Sequence, residues 1–273
     1  MGRTGKITLV LLAGVWVALL VTYVLAINGK PVDIDRVGVE EPSGIVFHGG
    51  RGTLFVVGDQ GKIYEMKTDG TGVNQRDLAE GGWIDLEGVT FDPATGLLYV
   101  VVEGRDRILE VDPDKLVILR EYEIPRTWQG KTVLDAGGQG LEAITFVPDA
   151  KHPEGGTFFV TNQGFADSPP EDASALLQVE LPLRRKPAEN ADAKILDYVR
   201  MDVFDLSGLH YDAKRRSLFV ISDGGNALMR ITPKGKVLKT ERLPGRNQEG
   251  ITVDNKGFVY IAQDSGGILR FRP

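Results

Sequence analysis

The hydrophobic and polar positions of the chain follow a pattern that recurs five times. Each copy begins with Ser or Glu followed by Gly or Ala, then an apolar run of about four residues and a turn of Gly, Asp, Pro or Lys. A second run rich in Phe, Tyr, Val and Ile follows the turn. β-branched and aromatic residues separated by Gly and Asp indicate strands rather than helices. The copies begin at Glu41, Asp85, Gly140, Asp205 and Asn247.

The spacing of the copies predicts the fold. Their Gly or Ala positions 44, 88, 143, 208 and 250 are separated by 44, 55, 65 and 42 residues. One four-stranded propeller blade takes about 40–45 residues, so each copy is predicted to be a blade, and the longer gaps are predicted to hold insertions. The last copy lacks a fourth strand, whereas the stretch 31–39 precedes the first copy and has no partner of its own.

Pairing of the two chain ends would close the ring and remove its exposed edges. We therefore predict an all-β fold, a five-bladed β-propeller closed by its N-terminal strand. A six-bladed ring is the alternative. It would require a blade within the insertion 183–201, which is too polar and too short to form one.

The N-terminus departs from the strand pattern. No charged residue lies between Lys6 and Lys30, and the 21 residues 7–27, most of them apolar, would cross the hydrocarbon core of a bilayer as a helix rising about 1.5 Å per residue. The preceding leader carries Arg3 and Lys6 and no acid, which keeps the N-terminus in the cytoplasm. A cleaved signal peptide is the alternative, but its apolar region would span only about 7–15 residues. We expect a leader at 1–6, a transmembrane signal anchor at 7–27 and an exported propeller domain at 28–273.

Composition narrows the function classes. The chain has no cysteine, so disulfides, thiolate metal sites and a cysteine nucleophile are excluded. Without the two basic residues of the leader, 30 Lys and Arg face 38 Asp and Glu, which gives a net charge of −8. Nucleic-acid binding requires a basic face, so we expect no nucleic-acid partner.

Acidic residues recur at one end of the predicted inner strands. Glu87, Glu142 and Glu249 begin three of these strands, and Ser43 and Ser207 begin the other two. In an antiparallel blade, the loop entering the first strand and the loop joining the second to the third lie on the same face. A second polar column therefore shares that face at the ends of the second strands: Asp59, Glu103, Gln163, Asp223 and Asp264.

These columns predict a cation site around the mouth of the central channel. Carboxylates crowded around a narrow axis repel one another unless a proton or a cation neutralises them, and oxygen ligands in this number suit Ca²⁺ or Mg²⁺. Two alternatives stay open: the side chains tie neighbouring blades together through hydrogen bonds, or they act directly as acid–base catalysts. The predicted metal-binding residues are Glu87, Glu142, Glu249, Asp223 and Asp264.

Other side chains approach the same face. Trp83 precedes the head of the second blade, Trp128 lies in the approach to the third, and Arg246 precedes the head of the fifth. Together they are candidate ligand-binding residues for a small molecule or a polymer. The sequence lacks a Gly-x-Ser-x-Gly elbow, and no histidine lies beside a candidate serine, which argues against a serine hydrolase.

The blade heads "DLEG", "GLEA", "DLSG" and "NQEG", preceded by a basic leader and one apolar segment, resemble the SdiA-regulated (YjiK-like) proteins of Gram-negative bacteria. The resemblance covers about residues 32–273. It implies a propeller tethered to the inner membrane, single-pass and facing the periplasm, with a calcium ion near the mouth. The implied ligands are Glu87, Glu142 and Glu249, with Asp223 and Asp264 behind them, and Ser43 and Ser207 depart from a full Glu ring.

A weaker resemblance extends to phytase-related and gluconolactonase propellers. Lactonase-type propellers hold one divalent ion with a Glu and a set of Asn and Asp, and this likeness implies that Asn162 and Asn247 complete such a set in this chain. Three functions are therefore open. They are a calcium-dependent binding module for a small molecule or an envelope protein, a metal-dependent hydrolase of a lactone or phosphate ester, and a scaffold that recruits envelope proteins.

Overall fold

The computed structural model describes residues 30–79, 84–134, 140–165, 167–168, 173–184 and 191–272. Within these ranges the chain forms β-strands and no helix. The predicted anchor at 7–27 lies outside the described residues. Among the residues that are described, no helix is long and apolar enough to cross a membrane.

Strand β1 (Val32–Asp33) precedes five sheets, the blades, in each of which the strands run in order from the inner to the outer. Blade 1 contains β2 (Pro42–His48), β3 (Thr53–Gly58), β4 (Lys62–Lys67) and β5 (Gly72–Asp77). Blade 2 contains β6 (Leu86–Phe91), β7 (Leu98–Val102), β8 (Arg107–Asp112) and β9 (Val117–Glu123). A hairpin follows, formed by β10 (Thr127–Trp128) and β11 (Lys131–Thr132).

Blade 3 contains β12 (Leu141–Pro148), β13 (Gly156–Asn162), β14 (Ala175–Glu180) and, after the short β15 (Ala191–Asp192), β16 (Lys194–Arg200). Blade 4 contains β17 (Leu206–Asp212), β18 (Ser217–Ser222), β19 (Ala227–Ile231) and β20 (Val237–Arg242). Blade 5 contains β21 (Gln248–Val253), β22 (Val259–Gln263) and β23 (Ile268–Phe271), with β1 as its outer strand.

The first and last strands close the ring as the sequence predicts. Strand β1 pairs antiparallel with β23, with Val32 opposite Arg270 and Asp33 opposite Leu269. The carboxylate of Asp33 also accepts the backbone N–H of Ile268 at 3.0 Å. The five-bladed propeller closed by its N-terminal strand is confirmed.

The described residues of the segment 183–201 form no sixth blade, and most of them are not an insertion. Its residues 194–200 form β16, the outer strand of blade 3. Ahead of it, β15 runs parallel to β9 and adds a fifth strand to blade 2, with Asp192 opposite Glu123. The connection therefore joins blades 2 and 3 and covers an edge that would otherwise be open.

The apolar core is divided into clusters that lie between neighbouring blades. Between blades 2 and 3, for example, the ring of Phe158 packs on Tyr99 and Phe146 with centroid distances of 4.8 and 4.9 Å. Threonine side chains add hydrogen bonds between inner strands. The backbone N–H groups of Phe47, Phe146 and Tyr211 donate to the hydroxyls of Thr252, Thr90 and Thr145 in the adjacent blade. These contacts fix the inner strands around the channel.

Candidate metal centre at the channel mouth

The Ser or Glu heads lie in β-bulges of the inner strands. In every blade the register between the first and second strands shifts at the head, so that Ser43, Glu87, Glu142, Ser207 and Glu249 are skipped in the pairing. A bulge bends the strand and re-aims the side chain of the unpaired residue. The recurring head is therefore a device that takes one polar side chain per blade out of the sheet.

The Gly that follows the head allows the inner strands to approach one another closely. A Cβ at Gly44 would collide with the carbonyl oxygen of Glu87 in the next blade, and one at Gly250 would lie 2.7 Å from the carbonyl oxygen of Ser43. Only glycine fits where a neighbouring backbone approaches this closely. The Gly position is thus explained by packing, and it brings the heads of adjacent blades together.

One backbone hydrogen bond, repeated in all five blades, joins the two polar columns. The first residue after the second strand donates its N–H to the carbonyl of the residue two positions before the head. The bonds are Asp59 to Glu41, Glu103 to Asp85, Gln163 to Gly140, Asp223 to Asp205 and Asp264 to Asn247. Consequently each polar residue of the second column is held beside the head of its own blade, as the strand polarity predicts.

Three carboxylates from blades 1 and 2 form a compact group at the mouth. Asp59, Asp85 and Glu87 each offer one oxygen, and these oxygens all lie within 4.8 Å of one another. Oxygens on opposite sides of a calcium ion are about 4.6–5.2 Å apart, because each Ca–O bond is about 2.3–2.6 Å. The spacing and the all-oxygen donor set fit one hard divalent cation.

An orphaned atom supports that fit. Asp85 Oδ1 is buried and has no hydrogen-bond partner among the described residues. A buried acceptor without a partner is costly, and such groups in native structures commonly mark an ion or a water. Asp59, by contrast, accepts a hydrogen bond from the hydroxyl of Ser43. Ser43 is buried and lies in the β-bulge, which holds its hydroxyl beside Asp59.

The pKa values of this group are shifted towards the protonated form. Burial, together with neighbouring carboxylates, raises the pKa of Asp59 and of Asp85 to about 6. Burial raises the pKa of Glu87 well above its ordinary value, and the charges of Asp59 and Asp85 add to the effect. Without a cation the cluster therefore retains protons that an exposed carboxylate would lose.

Glu142 and Glu103 continue the cluster into blade 3. Glu142 is 5% exposed, and burial raises its pKa well above the ordinary value, with further contributions from Glu87 and Glu103. Burial also raises the pKa of Glu103, which shares hydrogen bonds with Asp85 and Glu142. Two predicted residues, Glu87 and Glu142, thus lie together on the same side of the mouth.

The other predicted residues lie in the sector formed by blades 4 and 5. Burial and the charges of Asp223, Asp205 and Asp264 raise the pKa of Glu249 to about 8. Burial also raises the pKa of Asp223, although its carboxylate accepts the backbone N–H of Gln248 at 2.7 Å. All five predicted acids therefore surround one mouth, but only Glu87 among them belongs to the compact group of three.

The predicted ligand-binding residues are more dispersed. Arg246 and Asn247 are exposed in the loop that enters blade 5, and their carbonyls accept N–H groups of Gln263 and Asp264. Asn162 is buried, and its amide donates to the carbonyl of Ala173. The structure thus places Asn247 at the rim and Asn162 inside blade 3.

Of the two predicted tryptophans, only Trp128 belongs to the described residues, and it does not join the carboxylates. Trp83 lies outside the described residues. Trp128 lies in the β10–β11 hairpin, half-buried against the core between blades 2 and 3, with its ring centroid 6.3 Å from that of Tyr198. Its observed environment is a packing contact.

Asp85 is a member of the site that the sequence pattern alone does not predict. The pattern begins each head at Ser or Glu, whereas Asp85 lies two residues earlier and Asp205 holds the equivalent place in blade 4. The sequence feature that marks this position is the Asp that begins both "DLEG" and "DLSG". The carboxylate of Asp205 is used within the protein, because it accepts N–H groups from Gln163 and Gly224.

The alternative in which the heads tie neighbouring blades together through hydrogen bonds also has support, at one head. The hydroxyl of Ser207 donates to the carbonyl of Gln248 in the next blade at 2.8 Å, which ties blades 4 and 5. Serine heads can therefore serve the ring itself, whereas the glutamate heads of blades 2 and 3 face other carboxylates.

Comparisons with known proteins agree with the fold. A family model described as SdiA-regulated matches residues 17–271. The search of curated proteins returned no match. A glutaminyl cyclase from Myxococcus xanthus is similar in structure, with a TM-score of 0.59, 15% identity and coverage of 88% of this chain and 92% of the cyclase. A gluconolactonase from Xanthomonas campestris has a TM-score of 0.51, 16% identity and coverage of 90% and 80%. At these identities the likeness concerns the fold alone.

Proposed function

The chain belongs to the SdiA-regulated family, and we propose that it is a membrane-tethered, periplasm-facing propeller that binds one Ca²⁺ ion at its channel mouth. The family assignment confirms the resemblance seen in the sequence. The ion serves to neutralise the mouth and to present a binding point for a small molecule or an envelope protein. The observation that carries the proposal is the group of three oxygens from Asp59, Asp85 and Glu87 within 4.8 Å.

The donor set favours calcium over softer metals. All three members are carboxylates, and the chain has no cysteine to offer a thiolate. Glu142 and Glu103 lie beside the group and would supply further oxygens or retain protons. When bound, the ion would provide a fixed positive charge in a site surrounded by acids.

The tether rests on the sequence of 7–27, which is long and apolar enough to span a bilayer as a helix. The basic residues Arg3 and Lys6 orient the propeller to the periplasmic side. These features motivate the proposed location at the inner membrane of a bacterium.

A metal-dependent hydrolase is the second candidate function. It is favoured by the partial exposure of Asp59 and Asp85, which leaves an ion at this site open to water and to a substrate. In such an enzyme Asp59, Asp85 and Glu87 would hold the metal, whose chemistry would be to acidify a water, and a carboxylate of the mouth would accept the proton. A closed and fully coordinated ion would instead favour binding alone.

Calcium titration of the purified full-length chain tests the proposal. We expect near-stoichiometric binding that is lost in an Asp59→Asn/Asp85→Asn double variant. The matched control is Asp202→Asn, which neutralises an exposed acid in the loop before blade 4. Wild-type protein that contains no calcium and shows no heat of binding would refute the metal site, and equal losses in both variants would refute the assigned ligands.

A further inference from the structure

The two faces of the propeller differ in charge and in their relation to the N-terminus. Inner strands run from the mouth to the opposite face, termed the base, which carries the turns between first and second strands and between third and fourth strands. As the fourth strand of blade 5, β1 runs from the base towards the mouth. Val32, the first residue of β1, therefore lies at the base.

Exposed cations concentrate on the base of the same part of the ring. In blades 4 and 5 the turns and the end of β23 carry seven exposed basic side chains, termed the basic sector: Lys214, Arg215, Arg216, Lys234, Lys236, Lys256 and Arg272. Since the domain as a whole is acidic, this concentration runs against the average charge of the chain.

Carboxylates balance only part of the basic sector. Asp212 pairs with Arg215 at 2.7 Å, and Asp197 pairs with Lys234 at 2.7 Å. Asp254 is buried and accepts the hydroxyl of Tyr260 at 3.0 Å together with backbone N–H groups. The described structure contains no ion pair to the remaining cations: Lys214, Arg216, Lys236, Lys256 and Arg272.

We propose that the basic sector rests on anionic phospholipid headgroups and that the mouth consequently points away from the bilayer. The inference relies on the membrane tether of the proposed function and not on its metal site. From residue 27, the end of the predicted anchor, to Val32 is five residues, which span at most about 18 Å. The base is thereby held near the headgroups, where basic side chains beside a membrane anchor attract anionic lipid.

Blade 5 supplies the geometric link. In the sequence the predicted anchor precedes β1, which belongs to this blade. Lys256 and Arg272 belong to the same blade, where Arg272 donates to the carbonyl of Lys256 at 3.2 Å. Tether and cations therefore lie on one side of the base. The arrangement leaves the acidic mouth open to soluble ligands, remote from the negative surface that would repel it.

Site-specific fluorescence on the full-length chain tests this orientation. Because the chain has no cysteine, Asn255→Cys places a single label on the base and Gln60→Cys places one at the mouth. Energy transfer to a headgroup dye is measured in nanodiscs of phosphatidylcholine, with and without phosphatidylglycerol. We expect greater transfer from the base than from the mouth, a gain with phosphatidylglycerol at the base only, and loss of that gain in high salt.

Charge reversal identifies the residues responsible. The double variant Lys214→Glu/Lys236→Glu should lose the gain from phosphatidylglycerol, whereas Lys62→Glu/Lys131→Glu, which reverses two cations on the mouth side, should retain it. Equal transfer from both labels, or transfer at the base that does not respond to phosphatidylglycerol, would overturn the proposal and assign the basic sector to another partner.

Calcium binding, measured on the same preparations, separates this proposal from the metal site. Both double variants should bind calcium like the parent chain, because neither touches the mouth carboxylates. A parent chain that binds no calcium but shows the expected orientation on the membrane would refute only the metal site. A chain that fails to enter the discs would refute the tether and this orientation together, and leave the metal site standing.

Discussion

Buried carboxylates occur in the outer parts of the blades and at the mouth, and the two regions neutralise them differently. Glu65 and Glu110, in the third strands of blades 1 and 2, are each 2% exposed. Each accepts two N–H groups of one guanidinium, from Arg51 and Arg120 respectively. At the mouth, Glu87 and Glu142 have other carboxylates as their main electrostatic neighbours.

The difference shows which charges the chain balances by itself. An Arg–carboxylate pair with two hydrogen bonds is complete within the fold and needs nothing from solution. A buried group of acids is completed by protons or by a cation, and both come from outside. Burial of a carboxylate therefore does not by itself indicate a site, whereas burial beside further carboxylates does.

The largest effect is expected where an internal pair is broken. Arg120→Ala leaves Glu110 buried without its counter-ion, so the free energy of unfolding should fall by about 3–5 kcal/mol. The control Arg107→Ala removes a pair with Glu121 in which the two side chains are 41% and 33% exposed, and should cost at most about 1 kcal/mol. Denaturant unfolding measures both. Equal losses would show that the comparison between balanced and unbalanced acids is wrong.

Calcium should change the stability of the mouth by a smaller amount. At a free concentration about 100 times the dissociation constant, the ion should raise the free energy of unfolding by about 2.7 kcal/mol. Asp85→Asn should remove most of this gain, because it takes away a carboxylate ligand whose Oδ1 has no hydrogen-bond partner in the described structure. Thermal unfolding with calcium or with chelator measures it. A gain that survives Asp85→Asn would place the ion elsewhere.

Much of this fold followed from local sequence patterns. Strand periodicity and the repeated head were sufficient to predict five blades and the closing strand, since each blade repeats the same short-range chemistry. The pairing of β15 with β9 was not predictable, because its two residues lie in a polar segment and the partner strand is about 70 residues earlier in the chain.

The candidate site was predicted as a column of acids and not as a group of three. Asp59 belongs to blade 1, whereas Asp85 and Glu87 belong to blade 2, so their meeting depends on how closely two blades pack. Gly44 permits that approach by leaving space for the backbone of Glu87. A repeat alignment shows equivalent positions within blades, but contacts between blades require the folded ring.

The stability of the calcium-free protein should depend on pH through the carboxylates at the mouth. The pKa values of Asp59 and Asp85 are raised to about 6 and that of Glu249 to about 8, so the native state holds protons that the unfolded chain has lost. In chelator, the contribution of these groups to the free energy of unfolding should therefore be greatest below about pH 4 and should fall as pH rises towards 8. We expect a loss of about 2 kcal/mol between pH 5 and pH 8, after allowance for partial exposure.

Calcium should alter that slope, because the ion competes with protons for the same oxygens and binds better as pH rises. Denaturant unfolding at several pH values, with chelator and with excess calcium, gives both slopes. Stability in chelator that stays level or increases between pH 5 and pH 8 would contradict the raised pKa values.

The smallest effect is expected from Glu142→Gln. Burial and Glu87 raise the pKa of Glu142 well above its ordinary value, so an amide of the same shape replaces a carboxyl whose neutral form is already favoured. The free energy of unfolding should change by no more than about 1 kcal/mol. The matched substitution Glu110→Gln removes a charge that Arg120 needs, and should cost several times more. If the Glu142→Gln variant unfolded, the glutamate heads would be shown to hold the ring together. If it folded but lost turnover of a lactone or phosphate ester, the result would favour the hydrolase over the binding module.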